Sequence, residues 1–554
     1  MFSPIGPVRK ELKMRGLVVA ILFAFSVSAF GAEAFSVRLD LNASGSETSR
    51  NSVELRYSFS SDERNYSFKE IDKRVDSLRQ KFMHRERGCF SLGPAELVKD
   101  SHGDCNEASF SIKPGITEQD RLYAFAQPVG DGGVLLFTPY LALAAKKNNE
   151  TEWVLRAPTI IADGRVYFGE MTIRRNSDLS ALGYVYLGSA KPERWEGASV
   201  IVDPRVPNWF KKRVQGNFTS FQRIVAAGLH EQRPRSTALI VSLDSSYGGD
   251  DFFFHGDVSK RDTIRLSFYG RKATEQSSKN FATVDAFLAH ELIHLYQPHD
   301  DRIDADSWVS EGNADFLSIL TLVKAGLLSE SQAKERFEQS INECSLLAGN
   351  APWKAVELTT GRAPYACGLT MHLIASLASS GEASGFRIWQ LMRTRFQSMN
   401  VQAFKEAYPW FAEKLNSDRP LIDIVWDALE ERFGKKVQHI GDVPSLSSKV
   451  FVPIMSEDCD GSFGFWNTPE GLKIDVQPSC KKLATEHTIK TLAGVEITRS
   501  GLEAAQATYQ KCKADGKVEV GDTEGRSFTL SCTHPYQPPN FLFELYVGAL
   551  ATLR

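Results

Sequence analysis

The chain has 554 residues, of which 42% are hydrophobic and 24% charged, with a formal net charge of −3. That length exceeds what one hydrophobic core serves, so roughly three domains are expected. The small charge and the lack of a long basic run argue against a nucleic-acid partner, and beyond the N-terminal region no stretch is apolar enough to suggest a membrane span.

The N-terminal region places Arg9, Lys10, Lys13 and Arg15 ahead of an apolar run from Leu17 to Phe30, with small residues at Ala29, Gly31, Ala32 and Ala34. Basic, apolar and small-residue regions in that order make a secretory signal over residues 1–34 and predict a periplasmic or secreted protein with no integral membrane domain once the signal is removed. An uncleaved membrane anchor is the rival reading, and the apolar run is short for it. Export gives meaning to the eight cysteines, Cys89, Cys105, Cys344, Cys367, Cys459, Cys480, Cys512 and Cys532, which fall in spaced pairs as disulfides of an oxidising compartment do. Their connectivity does not follow from sequence; 89 with 105 and 344 with 367 are the pairings expected first.

Residues 35–194 read as a mostly antiparallel β domain. Segments 35–41, 53–59 and 166–173 alternate apolar and polar residues, which buries one face of each strand. No chemistry-bearing motif occurs there. From residue 195 the pattern is mixed, with a helix at 218–229 and strands at 238–243 and 263–269. Between those strands, Ser245 to Gly256 is rich in glycine, aspartate and aromatic residues and reads as a loop.

The run Ala286-Phe-Leu-Ala-His290-Glu291-Leu-Ile-His294 then carries H-E-x-x-H inside an apolar helical pattern. At 3.6 residues per turn, His290 and His294 stand on one face, roughly 6 Å apart along the axis, where two imidazoles can share a metal ion. Glu291 projects beside them, placed to act as a general base toward water at that ion. A second apolar helix opens with Trp308-Val-Ser-Glu311-Gly312-Asn-Ala-Asp315. Two histidines and Glu311 make the three-ligand set of a catalytic Zn2+ site, one ion per chain. Asp315 lies four residues after Glu311 on the same face and can accept from the free ring N–H of a ligand histidine. His299 is a rival third ligand, but Pro298 ends the helix before it, and it reads as a solvated loop residue. An ordinary amphipathic helix is the bland alternative for the first motif alone; the second helix makes it the weaker reading.

Further amphipathic helices are expected at 331–343, 369–378, 386–396, 401–415 and 421–433. They form a helical lobe that closes the second domain, 195–440. The remaining residues, 441–554, alternate strand-like segments with one helix at 501–513.

His290-Glu-Leu-Ile-His294, Trp308-Val-Ser-Glu311-Gly-Asn-Ala-Asp315 and Pro364-Tyr365-Ala-Cys367-Gly368 together resemble the gluzincin zinc metallopeptidases, in particular the glycyl-aminopeptidase family and its aminopeptidase N relatives. The resemblance implies a thermolysin-like catalytic domain within a multidomain α+β chain, a peptide or protein substrate, and Tyr365 as donor to the tetrahedral oxyanion. Tyr247-Gly248-Gly249 is similar to a Y-G-G word of the same family. Cys367 stands where the relatives carry a basic residue. No G-A-M-E-N word precedes the metal helix, so aminopeptidase and endopeptidase activity both stay open. Asp460-Gly461-Ser-Phe463-Gly464-Phe465 and Ile489 to Ile497 resemble segments of a PDZ domain, which binds an extended chain end by adding it as a strand. Two other functions stay open: a catalytically silent peptide-binding protein with a structural metal site, and a zinc hydrolase of a non-peptide substrate.

Overall fold

The computed structural model describes residues 35–297 and 307–348 with short breaks, then 362–378, 385–392, 400–408, 463–476, 480–498 and 501–533 with small gaps, and isolated positions between these. Three hydrophobic cores organise these residues.

The first core lies under a nine-stranded sheet. Its spatial order is Met83–Gly88, Glu107–Ile112, Ser52–Phe59, Phe35–Asn42, Glu150–Ala162, Tyr184–Gly188, Val134–Phe137 and Ala126–Pro128, with Arg165–Asn176 paired off this path to Glu150–Ala162. Pairing is antiparallel except between Phe35–Asn42 and Glu150–Ala162, which run parallel. Alternate residues such as Val53, Leu55, Tyr57 and Phe59 turn inward, as period two requires. The region is not all strand. Helix α1 (Lys73–Phe82) packs Val75, Leu78 and Phe82 into this core, and its buried Arg79 donates to the Tyr140 carbonyl at 2.8 Å. Six of its ten residues are charged or polar on the outside, while Val75, Leu78 and Phe82 recur at helical spacing, a signal that the strand reading of this region did not use.

A five-stranded sheet follows, in the order Glu193–Trp195, Ala198–Val202, Thr237–Asp244, Thr263–Tyr269 and Phe253–Ser259. Its three central strands are parallel and buried on both faces, and Phe253–Ser259 is an antiparallel edge. The expected loop over 245–256 is therefore corrected at its end. The triplet Phe252-Phe253-Phe254 shows no alternation, and Gly256 reads as a breaker. Yet a Cβ at Gly256 would come within 2.2 Å of the Phe287 ring, so packing against a helix demands glycine in mid-strand.

The second core joins that sheet to the helices. Helix α2 (Asn208–Leu229) begins ten residues earlier than its pattern suggested and ends at His230 in the left-handed conformation, φ 51°. Helix α3 (Ser278–His294) is capped by Ser277, whose hydroxyl accepts from the Asn280 N–H at 3.1 Å. Arg213 and Asn217 of α2 both hold the buried Asp285 of α3, Arg213 Nε at 2.8 Å, which fixes the two helices in register.

Helices α4 (Ser307–Lys324), α5 (Glu330–Ala348) and α6 (Ala363–Ala378) complete this core. Helix α6 begins six residues before the expected start. Pro364 is tolerated in its first turn, and Gly368 is accommodated because α4 crosses there. A Cβ on Gly312 would lie 2.1 Å from the Gly368 carbonyl carbon, and one on Gly368 would lie 2.1 Å from the Trp308 oxygen. Backbones touch at this crossing, and only a glycine pair permits it. Helices α7 (Gly385–Leu391) and α8 (Val401–Ala407) cover parts of the segments expected at 386–396 and 401–415; most of 421–433 lies outside the described residues.

The third core holds an antiparallel sheet, Phe463–Thr468, Gly471–Val476, His487–Leu492, Lys517–Asp522 and Ser527–Ser531 in order, with α9 (Gly501–Asp515) against it. All eight cysteines are paired, as 89–105, 344–367, 459–480 and 512–532. Residues 1–34 and Asp460 to Ser462 lie outside the described residues. Among the described residues no helix is long and apolar enough to cross a membrane.

Candidate metal centre

His290 and His294 close the last turn of α3, and Glu311 faces them from the first turns of α4. One donor atom from each of the three lies within 4.8 Å of the others. His290 Nε2 stands 3.1 Å from His294 Nε2, and Glu311 Oε2 is 3.3 Å from the first and 3.5 Å from the second. Three Lewis bases converging at these distances fit a cation of zinc's size and ligand preference.

The opposite ring nitrogens point away from the cluster to fixed partners. Asp315 Oδ1 lies 2.7 Å from His290 Nδ1, one turn beyond Glu311 on α4. Gln297 Oε1 lies 2.7 Å from His294 Nδ1. The Gln297 amide nitrogen donates to the Ser310 carbonyl at 2.8 Å and reaches Asn313 Oδ1 at 3.3 Å, so its oxygen must be the atom that faces the histidine. Each Nδ1 then has an acceptor for its proton, and each Nε2 is turned toward the cluster. Gln297 was not singled out in the sequence; it follows the helix end, where nothing in a periodic pattern marks it.

Charges follow the same geometry. Burial works against a charged His290, but Asp315 and Glu311 outweigh it and lift its pKa well above the ordinary range. His294 is raised in the same way by Glu311. Glu311, although burial opposes its charge, is held well below the carboxylate range by the two histidines. Glu291 is only 4% exposed, and lost hydration pushes its pKa up to about 7, against the pull of the neighbouring imidazolium charges. A carboxyl poised near neutrality can take a proton and give it back.

Tyr365, in the first turn of α6, places its ring centroid 6.0 Å from that of His290. The adjoining disulfide, Cys344 to Cys367, ties α6 to α5 just beyond it. Arg362, which the sequence reading passed over, holds its guanidinium carbon 5.2 Å from the Tyr365 ring centroid. Across the site, Phe254 of the edge strand packs on Phe287 of α3 at 4.6 Å, one helical turn before Glu291. Tyr247 lies against Tyr269 at 5.6 Å, on the far side of that strand pair. Pro298 and His299 are outside the described residues.

No protein-family model and no curated protein matches the chain. Solved structures do. An aminopeptidase N family protein from Idiomarina loihiensis aligns over 94% of this chain and 100% of its own, at 14% identity and a TM-score of 0.51. An M1 zinc metallopeptidase from Deinococcus radiodurans aligns over 69% of this chain and 92% of its own, at 13% identity and a TM-score of 0.41. Yeast LTA4 hydrolase in complex with bestatin aligns over 77% and 71%, at 12% identity and a TM-score of 0.40. At these identities the likeness is one of architecture, and only the first is close enough to argue from: this mixed α/β, multidomain chain shares its fold with an aminopeptidase N family protein.

Proposed function

We propose that the protein is an exported zinc metallopeptidase that hydrolyses peptide bonds at the His290, His294 and Glu311 cluster. The observation that carries this reading is the convergence of three ligand atoms within 4.8 Å beside a buried carboxyl that ligates nothing. A merely structural metal site has no use for Glu291; a hydrolytic one needs a base there. When bound, zinc would supply Lewis acidity to water and to the substrate carbonyl.

The chain's own groups do the rest. Glu291 takes a proton as water attacks the carbonyl and passes it to the leaving amine, a role that its burial beside the two histidines allows. Tyr365 donates its hydroxyl to the oxyanion, where charge develops only in the transition state. Asp315 and Gln297 hold the two imidazoles in the tautomer that presents Nε2. The edge strand Phe253–Ser259 offers backbone groups to an extended peptide beside α3.

Four disulfides support an oxidising compartment, and with it a signal at residues 1–34. The same reading assigns domains to 35–194, 195–440 and 441–554, the last a disulfide-stiffened, PDZ-like module built on the sheet with α9. The test is elemental analysis and turnover of a peptide library by the wild type and Glu291→Gln. About one zinc per chain in both, with cleavage in the wild type alone, supports the reading. Equal cleavage by both proteins removes it.

A further inference from the structure

Arg362 has a position that the reaction just described does not use. It stands immediately before α6, with its guanidinium carbon 5.2 Å from the Tyr365 ring centroid, and that ring is 6.0 Å from His290. Its Nε lies 3.5 Å from Oε1 of Glu343, a side chain only 3% exposed, while the arginine side chain itself is 52% exposed. The cation therefore lies against a buried carboxylate, with about half of its side chain exposed to solvent near Tyr365. Its charge interacts with Glu343, Asp315 and Tyr365.

The elements on either side are cross-linked. Glu343 precedes Cys344, Tyr365 precedes Cys367 by two positions, and the 344–367 disulfide locks the two segments together. With Nε beside Glu343, the two terminal nitrogens of the guanidinium remain to grip a carboxylate with two parallel hydrogen bonds. Lysine could not do the same from this position, because a point charge lacks the fork.

We propose that Arg362 is a specificity-determining residue that binds a carboxylate of the peptide substrate close to the scissile bond. The inference rests on the peptidase reading above and adds the substrate class: peptides with an acidic side chain, or a free C-terminal carboxylate, next to the bond cleaved. Arg362 acts on binding and orientation, and the proton transfers stay with Glu291.

The test uses the full-length zinc-loaded protein and matched quenched peptides that differ by Glu against Gln at each position flanking the cleaved bond. Each is made with a free and an amidated C-terminus, so that the two sources of carboxylate are separated. The wild type should favour one carboxylate-bearing set by roughly 10 to 100-fold in kcat/KM, as a charge-assisted pair allows. In Arg362→Gln that ratio should collapse to about one, and in Arg362→Glu it should invert toward lysine-bearing peptides. Because Glu343 loses the neighbouring cation in these variants, Arg362→Lys serves as a second probe: it keeps a cation beside Glu343 and should retain only part of the preference. Calorimetric binding of the same peptides to Glu291→Gln, with and without Arg362→Gln, reads the contact without turnover and should show the same ratio. An unchanged Glu-to-Gln ratio in Arg362→Gln, or no carboxylate preference in the wild type, overturns the proposal while leaving the peptidase reading intact. A zinc-loaded wild type that cleaves no peptide overturns both.

Discussion

Gln297 should govern metal affinity although it touches no metal. Its side chain spans the gap between the helix that supplies the histidines and the helix that supplies Glu311, accepting from His294 at 2.7 Å and donating to the Ser310 carbonyl at 2.8 Å. It is 4% exposed, so water cannot replace it easily. Gln297→Leu leaves the His294 Nδ1–H and the Ser310 carbonyl without their partner and frees the ring to turn. Loss of such an outer partner typically weakens metal binding 10 to 100-fold, about 1.4 to 2.7 kcal/mol. Gln297→Glu separates the two roles, since it still accepts from His294 but now sets a carboxylate against the Ser310 carbonyl and Asn313 Oδ1. It should lose affinity too, showing that the link to α4 matters as much as the contact with the ring. Chelator competition gives the zinc affinity, and melting of the metal-free variants reports any packing loss. A Gln297→Leu protein whose zinc Kd stays within about twofold of wild type, where roughly tenfold is the least expected, would refute the argument that this amide fixes the tautomer.

Tyr365→Phe should lower kcat roughly 100 to 1,000-fold with KM little changed, since the hydroxyl is needed mainly when the oxyanion forms; steady-state kinetics decide it, and a normal kcat moves the role to another donor. Gly312→Ala would set a Cβ 2.2 Å from the Gly368 Cα, forcing α4 and α6 apart; about 3 kcal/mol of stability and most of the bound zinc should go. As its control, Gly216→Ala in α2 meets nothing within 4 Å and should be neutral or stabilising in urea melts. His372 of α6 is buried, and lost hydration pushes its pKa from 6.5 down to about 4, while its Nε2 bonds to the Val309 carbonyl at 2.9 Å. The unfolded chain therefore takes up a proton first as pH falls below 6.5, so stability is lost between pH 6.5 and 4 and not above that window. His372→Gln keeps a donor to Val309 and has nothing to protonate, so its urea stability should fall by about 2.5 kcal/mol less between pH 7 and 4.5; an identical acid loss in both proteins would show that other groups control it.

Periodicity made part of the site readable in advance. Two histidines four apart on an apolar run share a helix face, and the structure sets their Nε2 atoms 3.1 Å apart. Glu311 and Asp315 are likewise one turn apart, and both reach His290. The disulfides 89–105 and 344–367, expected from cysteines that fall in pairs within an exported chain, are present. What escaped notice around the site has no periodic signature. Gln297 lies past the helix end, and Arg362 lies before the helix that carries Tyr365. Gly256 and Gly368 look like breakers until the packed ring of Phe287 and the backbone of α4 are in view. A local sequence pattern reports which face of an element is buried; it does not report what arrives to bury it.

The first sheet makes the same point, since its polar residues appeared to carry no chemistry. Gln127, from its edge strand, is buried; its Oε1 accepts from Arg265 Nη1 at 2.9 Å and its Nε2 donates to Ser242 Oγ at 2.8 Å, both residues of the second sheet. Arg265 grips Asp257 with Nε at 3.0 Å and Nη2 at 2.8 Å, and Tyr184 of the first sheet donates to the same carboxylate at 3.0 Å. Arg265 is therefore satisfied only when both sheets are present, because stripping away Gln127 and Tyr184 would leave a buried ion pair partly unmet. Asp257 belongs to the edge strand that runs along α3, and its charge reaches Glu291, where it helps to raise the pKa. The first sheet is thus bonded to the strand that flanks Glu291, through a tyrosine and a glutamine, the latter more than 160 residues upstream of Glu291 in the chain.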